Sequence, residues 1–162
     1  MTQRYDVVIV GGGHGGAQTA ITLRLHKMAG SIVIVCEEPV LPYERPPLSK
    51  DYLAQKKTRE SLTVRSATFW ANRSIRILSG RRITSVDPDG KVIVTSKAER
   101  LEYGSLVWAT GGYARKLSCR GHDLKGVHYV RTAADVDRLH DELRPGARVA
   151  IIGGGYSRLQ PP

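Results

Sequence analysis

A run of glycines near the start of the chain has the composition of a phosphate-binding turn: Gly11, Gly12, Gly13, His14, Gly15 and Gly16. Three of them, Gly11, Gly13 and Gly16, fit the pattern G-x-G-x-x-G. In that pattern the glycines allow a tight turn, let a pyrophosphate approach the backbone, and let a helix pack closely on a strand. The motif alone is weak, so its meaning depends on the residues around it.

A turn of this kind that binds a dinucleotide is followed, about 20 residues later, by an acidic residue at the end of the second strand. Glu37 stands at that distance from Gly16. Its carboxylate can accept hydrogen bonds from both ribose hydroxyls of an adenosine, while the free N–H groups of a helix N-terminus attract the phosphates. The turn and Glu37 together predict a dinucleotide site.

The residues that flank the turn predict the elements that must hold it. Tyr5–Val10 is a nearly continuous apolar run, typical of a strand buried on both faces of a parallel sheet. Ile32–Val35 predicts a second such strand, so residues 5–36 form a βαβ unit. Between them, before Gly30, apolar residues recur at helical spacing: Ala17, Ala20, Ile21, Leu25 and Met28.

Further along, short apolar segments alternate with turns. The proline-rich stretch 39–49 predicts an extended connection rather than a helix. Residues 87–90 predict a hairpin turn, and Leu106–Ala109 predicts another buried strand. Thr132 begins a capping-box-like helix start. Residues 148–152 then predict a strand that leads into a second glycine turn.

Composition narrows the function classes. The formal net charge is +10, but the Lys and Arg residues are scattered, which favours a solvated basic surface or an acidic protein partner over nucleic acid. No apolar run approaches the roughly 20 residues that cross a bilayer, so we expect no membrane association and a cytoplasmic protein. The two cysteines, Cys36 and Cys119, form no C-x-x-C pair, and no metal site is expected.

The segment after Glu37-Glu38 specifies the dinucleotide. Residues 42–50, ending in Pro46-Pro47-Leu48-Ser49-Lys50, resemble the FAD-dependent ferredoxin reductases of the rhodocoxin and putidaredoxin reductase type. These enzymes belong to the pyridine nucleotide-disulphide oxidoreductase superfamily. The resemblance covers about residues 4–156 and implies FAD as the cofactor, NAD(P)H as the hydride donor and an acidic ferredoxin-type iron–sulfur protein as the partner.

The resemblance also implies roles for individual residues. Gly11 to Gly16 would hold the FAD pyrophosphate, with His14 packed beside the cofactor, and Glu37 would bind the adenosine ribose. Lys50 is the residue expected to act in catalysis, because its charge near the isoalloxazine would favour the reduced, anionic form. The other residues expected to bind a cofactor are Arg45, Ile83, Ala109, Thr110, Gly111, Arg131, Gly153 and Gly155.

The second glycine turn departs from the family pattern. Arg158 stands where the third glycine belongs, and Pro161-Pro162 would forbid a continuing helix. A frameshift, an internal truncation or a short natural protein would each explain this ending. We therefore expect an incomplete fragment that binds FAD weakly or not at all and does not turn over NADH.

These inferences predict an α/β fold: an FAD/NAD(P)-binding, Rossmann-like, doubly wound parallel sheet with a β-meander insertion, truncated at the start of a second nucleotide fold. Residues 1–116 would form the first part of the FAD-binding domain and residues 117–162 the beginning of an NAD(P)-binding domain. Two alternatives remain open. One is a non-catalytic FAD-binding or degraded remnant, and the other is a nitrite-reductase or NADH-oxidase type of flavoprotein.

Overall fold

The computed structural model describes residues 2–152, which belong to two compact units. Unit 1 comprises Met1–Tyr43 and Thr63–Gly111, and unit 2 comprises Glu44–Leu62 and Gly112–Pro162. No helix among the described residues is both long and apolar enough to cross a membrane. The domain boundary expected between residues 116 and 117 stays a prediction.

Unit 1 is built on one sheet of six strands in the order β3-β2-β1-β6-β5-β4. Strands β3, β2, β1 and β6 run parallel, while β5 and β4 follow antiparallel as a meander. The predicted α/β class and the predicted meander are therefore confirmed. The strands are β1 (Thr2–Val10), β2 (Ile32–Val35), β3 (Ile75–Leu78), β4 (Ile83–Asp87), β5 (Val92–Thr95) and β6 (Arg100–Trp108).

The four parallel strands end level with one another. Val10 at the end of β1 pairs with Val35 on one side and with Trp108 on the other, and Val35 pairs with Leu78. Strand β1 thus lies between β2, the next strand along the chain, and β6, a much later one. In open α/β sheets the crevice at such a switch in strand order, outside the carboxyl ends, is where ligands bind.

Alternation along β1 explains why its sequence is apolar throughout. Val7 and Ile9 join a core cluster on one face, while Val8 and Val10 join a second cluster on the other. The first cluster includes residues of helix α1 (His14–Leu25) and Trp70 of helix α2 (Ala67–Asn72). The second is completed by the meander residues Ile93, Leu101 and Tyr103.

Helix α1 ends at Leu25, three residues before the last apolar residue of the predicted helical pattern. Its end is stabilised by Arg24, whose guanidinium donates to the carbonyl oxygens of Met28 at 2.6 Å and Gly30 at 2.7 Å. The same group donates to the carbonyls of Arg73 at 2.8 Å and Ser74 at 2.9 Å, just before β3. One side chain therefore ties together the two connections that lead into β2 and β3.

Unit 2 contains helix α3 (Ala133–Glu142) with the predicted capping box. Thr132 accepts a hydrogen bond from the Asp135 backbone N–H, and the Asp135 carboxylate accepts from the Thr132 N–H at 2.7 Å. Burial opposes ionisation of Asp135, yet these hydrogen bonds outweigh it and lower the pKa of the carboxyl below its ordinary value. The helix start is thus locked by local contacts.

Two expectations about local structure are wrong. Within the stretch 39–49, Pro46–Ser49 forms a 3₁₀ helix, because proline's fixed φ suits its first turn and the Leu48 N–H reaches the Arg45 carbonyl at 3.0 Å. Residues 148–152 form no strand, and Val149 and Ile151 are exposed. A strand needs a neighbour for its backbone hydrogen bonds, and within residues 2–152 the sheet ladders join only β1–β6.

Candidate dinucleotide-binding site

The glycine turn lies at the carboxyl edge of the unit 1 sheet, between the ends of β2 and β6. The Gly11 N–H donates to the Val35 carbonyl at 2.9 Å, which ties the turn to β2. On the other side, the Ala109 N–H donates to the Val10 carbonyl at 2.8 Å. The backbone of the turn is therefore held at the crevice where the strand order changes.

Three glycines of the turn are closed in by neighbouring atoms. A Cβ on Gly11, which has φ of +119°, would lie 2.2 Å from the Ala109 carbonyl oxygen. A Cβ on Gly12 would lie 2.5 Å from the Cys36 Sγ, and one on Gly16 would lie 2.0 Å from the Gly11 carbonyl oxygen. A side chain at Gly11 or Gly16 would therefore displace the backbone, and one at Gly12 would displace the buried Cys36 thiol.

Gly15 differs, because a Cβ there would meet nothing within 4 Å. Gly15 and His14 are exposed in the first turn of α1, while Gly13 is the N-cap residue with no side-chain hydrogen bond to the helix. The first turn carries no acidic residue. The helix N-terminus thus presents backbone N–H groups and its partial positive charge to an open space, which suits a phosphate ligand.

Glu37 lies just beyond the end of β2, at the same carboxyl edge of the sheet as the glycine turn. Cys36, the residue before it, is 2% exposed, and its N–H donates to the Leu78 carbonyl at 2.8 Å. Burial, with a smaller contribution from the charge of Glu38, raises the pKa of the Cys36 thiol to about 12. Cys36 is therefore a packing residue under Gly12, whereas the Glu37 carboxylate is half-exposed at the carboxyl edge.

The structure pairs Glu37 with Arg82, a residue for which the sequence predicts no role. The Arg82 guanidinium lies 3.7 Å from the Glu37 Oε1. Ile83, the predicted adenine contact, follows directly as the first residue of β4 and is half-buried. The only hint in the sequence is that Arg82 precedes Ile83, since 45 positions separate it from Glu37.

The remaining predicted site residues of unit 1 follow β6. Ala109 is half-buried, and its carbonyl oxygen closes the space beside Gly11. Thr110 and Gly111 are exposed, and Gly111 has φ of +66°. These residues share the carboxyl edge with the glycine turn and Glu37.

Among the described residues, three predicted site residues lie in unit 2, and the structure joins two of them. Arg45 donates from its guanidinium to the Arg131 carbonyl at 2.7 Å across a sequence separation of 86 residues. Lys50, at the end of the 3₁₀ helix, is exposed. Arg131 also lines an open cleft of about 380 Å³ together with Tyr113, Lys116, Tyr129 and Arg138.

The segment that carries Lys50 is braced by α3 within unit 2. The Tyr52 hydroxyl donates to the Asp137 carboxylate, which also accepts from Arg59 at 2.7 Å. Burial and the hydrogen bond to Asp137 raise the pKa of the Tyr52 hydroxyl to about 12. His140 contacts the Leu53 carbonyl at 2.9 Å. These contacts fix the backbone on the C-terminal side of Lys50.

The predicted nicotinamide contacts, Gly153 and Gly155, lie outside the described residues, as does Arg158. Within residues 2–152, no group of three or more His, Cys, Asp or Glu side chains is arranged to hold a metal ion.

These features define a dinucleotide-binding fold of the Rossmann type: a buried strand, a closed glycine turn, an open helix N-terminus and an acid at the end of the second strand. These residues fit an adenine dinucleotide such as FAD, because the turn is closed at Gly11, Gly12 and Gly16 but leaves space at Gly15, and the Glu37 carboxylate is half-exposed.

Residues 5–159 match the model of the pyridine nucleotide-disulphide oxidoreductase family, and the chain belongs to that family. A ferredoxin–NAD(P)⁺ reductase of Sphingomonas sp. is 54% identical over 156 residues, which cover 96% of this chain and 38% of that protein. The expected family is confirmed, and this relative bears out the expected likeness to ferredoxin reductases. The chain spans about two-fifths of the length of the curated relatives that it matches.

Two solved structures share the fold. The ferredoxin reductase from Rhodopseudomonas palustris superposes with a TM-score of 0.79 at 37% identity, over 84% of this chain and 34% of that one. The putidaredoxin reductase in a covalent complex with putidaredoxin gives a TM-score of 0.76 at 35% identity, over 86% of this chain and 34% of that one. The predicted fold class is thus supported by both topology and superposition.

Proposed function

We propose that this chain carries the adenosine–pyrophosphate part of the FAD site of an oxidoreductase, which passes electrons from NAD(P)H through FAD to a ferredoxin-type iron–sulfur protein. The observation that carries the proposal is the glycine turn of unit 1, which is closed at Gly11, Gly12 and Gly16 and open at Gly15, beside Glu37. Family membership and the activities named for the relatives support it.

Different residues of unit 1 bind different parts of the cofactor. Backbone N–H groups at the start of α1, around Gly13, His14 and Gly15, attract the pyrophosphate, and the absence of an acid in that first turn leaves their field uncompensated. Glu37 accepts hydrogen bonds from the ribose hydroxyls. Ile83 offers its backbone to the adenine.

Bound FAD supplies hydride acceptance and single-electron release, and the protein supplies orientation and electrostatics. The family resemblance assigns Arg45, Lys50 and Arg131 of unit 2 to the flavin end. Arg45 holds the Arg131 backbone in place, while the exposed Lys50 ammonium is available to stabilise negative charge on the ring system. Lys50 is therefore the proposed catalytic residue. Gly153 and Gly155 are proposed contacts of the nicotinamide cofactor.

Binding can be tested on the 162-residue chain by following backbone amide NMR signals during titration with FAD or ADP. We expect the amides of residues 13–16 to shift with both ligands, at concentrations where FMN, which has a phosphate but no adenosine, shifts them much less. Glu37→Gln should weaken binding of FAD and ADP by about tenfold, since a lost charge-assisted hydrogen bond costs about 1.5 kcal/mol or more. No shift at millimolar FAD and ADP, or equal shifts with FMN, would refute the proposal.

For the 162 residues alone we propose weak FAD binding and no NADH-dependent reduction of a dye. In the sequence, Arg158 stands at the position of the third glycine of the G-x-G-x-x-G pattern, which the family keeps small so that helix and strand can pack closely. Purified chain that carries stoichiometric flavin and reduces a dye with NADH would contradict this expectation.

The proposed partner is an acidic ferredoxin-type iron–sulfur protein. The net charge of +10 and the exposed residues Arg115, Lys116, Arg120 and Lys125 would favour encounter with an acidic surface. One structural neighbour is a reductase solved together with putidaredoxin. Binding to an acidic ferredoxin should weaken as ionic strength rises, and salt-independent binding would contradict an electrostatic contribution.

The proposed compartment is the cytoplasm. Cys36 and Cys119 are both free thiols in the structure, which suits a reducing environment.

A further inference from the structure

Arg82 extends the candidate site beyond the residues that the family resemblance assigns. We propose that Arg82 is a positioning residue, whose guanidinium orients the Glu37 carboxylate toward the ribose hydroxyls of the adenosine. The inference rests on the proposed function, since it concerns how this chain recognises that half of FAD. Its direct basis is the 3.7 Å separation between the Arg82 guanidinium and the Glu37 Oε1.

The loop that carries Arg82 is fixed relative to Glu37 from the β2 side. The Arg81 N–H donates to the Cys36 carbonyl at 2.8 Å, and the Gly80 N–H donates to the Glu38 carbonyl at 3.0 Å. These hydrogen bonds bracket Glu37, one on each side of it in the sequence. The backbone of residues 80–81 therefore runs beside the backbone that carries the ribose-binding acid.

The same loop is fixed from the meander side. The Ser96 N–H donates to the Arg82 carbonyl at 2.7 Å, and the Arg82 N–H donates to the Ser96 hydroxyl at 3.3 Å. Arg81 donates from two guanidinium nitrogens to the two carboxylate oxygens of Glu99, each at 3.2 Å, and Thr95 donates to Glu99 at 3.0 Å. Thr95 itself is 2% exposed. The Arg82 side chain thus emerges from a backbone that is held on both flanks.

This arrangement matters because Glu37 is a flexible side chain at an exposed edge. Its side chain is 50% exposed, and ordering such a side chain costs conformational entropy whenever a ligand binds. A guanidinium that projects beside Glu37 from a fixed backbone would narrow the positions of the carboxylate before the ligand arrives and compensate part of its charge. The contribution is modest, since the Arg82 side chain is 64% exposed and solvent screens the pair.

The test measures coupling between Arg82 and the ribose hydroxyls. The 162-residue chain and its variants are titrated with ADP and with 2′,3′-dideoxy-ADP, and binding is followed by backbone amide NMR shifts. Wild type should prefer ADP by about tenfold, because Glu37 loses its hydroxyl partners in the analogue. Arg82→Ala should weaken ADP binding by about three- to fivefold and reduce the preference, while the affinity for the analogue changes little.

Two further variants separate positioning from general effects. Arg82→Lys keeps a cation at the site and should recover part of the ADP preference. Arg4→Ala removes the same charge at the exposed far end of β1, about 20 Å from the turn at the rise of a strand, and should leave the preference unchanged. Chemical-shift spectra of the free variants check that the sheet is intact.

The possible outcomes separate a failure of the proposed function from a failure of the positioning role of Arg82. If wild type binds neither nucleotide at millimolar concentration, the proposed function fails and the role of Arg82 fails with it. If wild type prefers ADP and Arg82→Ala keeps the full preference, the positioning role alone is overturned. An equal loss of affinity for both nucleotides would also overturn it, since that result indicates a general electrostatic or folding effect.

Discussion

Replacing Gly16 with alanine should destabilise unit 1 severely, although the change adds a single methyl group. The added Cβ would lie 2.0 Å from the Gly11 carbonyl oxygen and 3.3 Å from Ile9 Cγ2. Favourable contacts between non-bonded heavy atoms lie near 3.5 Å, so the helix or the turn must move by more than about 1 Å. The obstructing atom belongs to the backbone, whose hydrogen bond to Val35 at the same residue resists that movement.

The cost of this overpacking is expected to be about 3 kcal/mol or more, at the upper end of the range for tightly packed sites. Urea unfolding followed by far-UV circular dichroism measures it. With a urea dependence of about 1–3 kcal/mol per molar, the midpoint should fall by about 1–3 M.

Gly15→Ala is the matched control, because the same methyl group one residue earlier meets nothing within 4 Å. Alanine is the better helix former, so this variant should be as stable as wild type or more stable by up to about 1 kcal/mol. An unchanged midpoint for Gly16→Ala would refute the reasoning. So would equal destabilisation of the two variants, since the contacts that distinguish the two positions would then not be responsible.

Two further sets of experiments probe the packing of unit 1. Arg24→Met removes hydrogen bonds from one guanidinium to four backbone carbonyls and should lower the free energy of unfolding by about 1–3 kcal/mol. The stability of Arg24→Lys should lie between those of wild type and Arg24→Met. Unfolding midpoints that match wild type would contradict this role of Arg24. At pH 8.5 iodoacetamide should label the exposed Cys119 but not the buried Cys36, and mass spectrometry should show a second adduct only in denaturant. The folded-state pKa of Cys36 is raised to about 12, so its contribution to stability is complete below its unfolded pKa of about 8.5 and is lost as the pH rises from there toward 12. Cys36→Ser should flatten that alkaline loss, and rapid labelling of both thiols in the folded chain would show that Cys36 is not buried.

Much of the geometry of the candidate site could be predicted from local spacing. The glycine turn, its position between a buried strand and a helix, and the acid at the end of β2 are properties of a contiguous stretch, because a βαβ unit folds from neighbouring residues. The apolar runs of β1 and β2 predicted strands buried on both faces, and both clusters of unit 1 confirm this. The proline-rich motif predicted a likeness to ferredoxin reductases of the pyridine nucleotide-disulphide oxidoreductase family, and the comparison with known proteins confirms that family.

Residues brought together from distant parts of the chain could not be predicted in this way. The pairing of Glu37 with Arg82 depends on β3 and the meander returning the chain to the end of β2. Likewise, Arg45 meets the carbonyl of Arg131 across 86 positions. No periodicity in the sequence records such contacts, because they arise from strand order and register.

The strand expected at residues 148–152 also shows that local sequence does not determine long-range pairing. Its apolar composition is typical of a buried strand, yet Val149 and Ile151 are exposed. Composition specifies what a segment can become, whereas a strand exists only when a neighbour takes up its backbone hydrogen bonds. The short-range pattern therefore determines the turn and the chemistry that it can offer, and the long-range pairing of strands determines which side chains meet there.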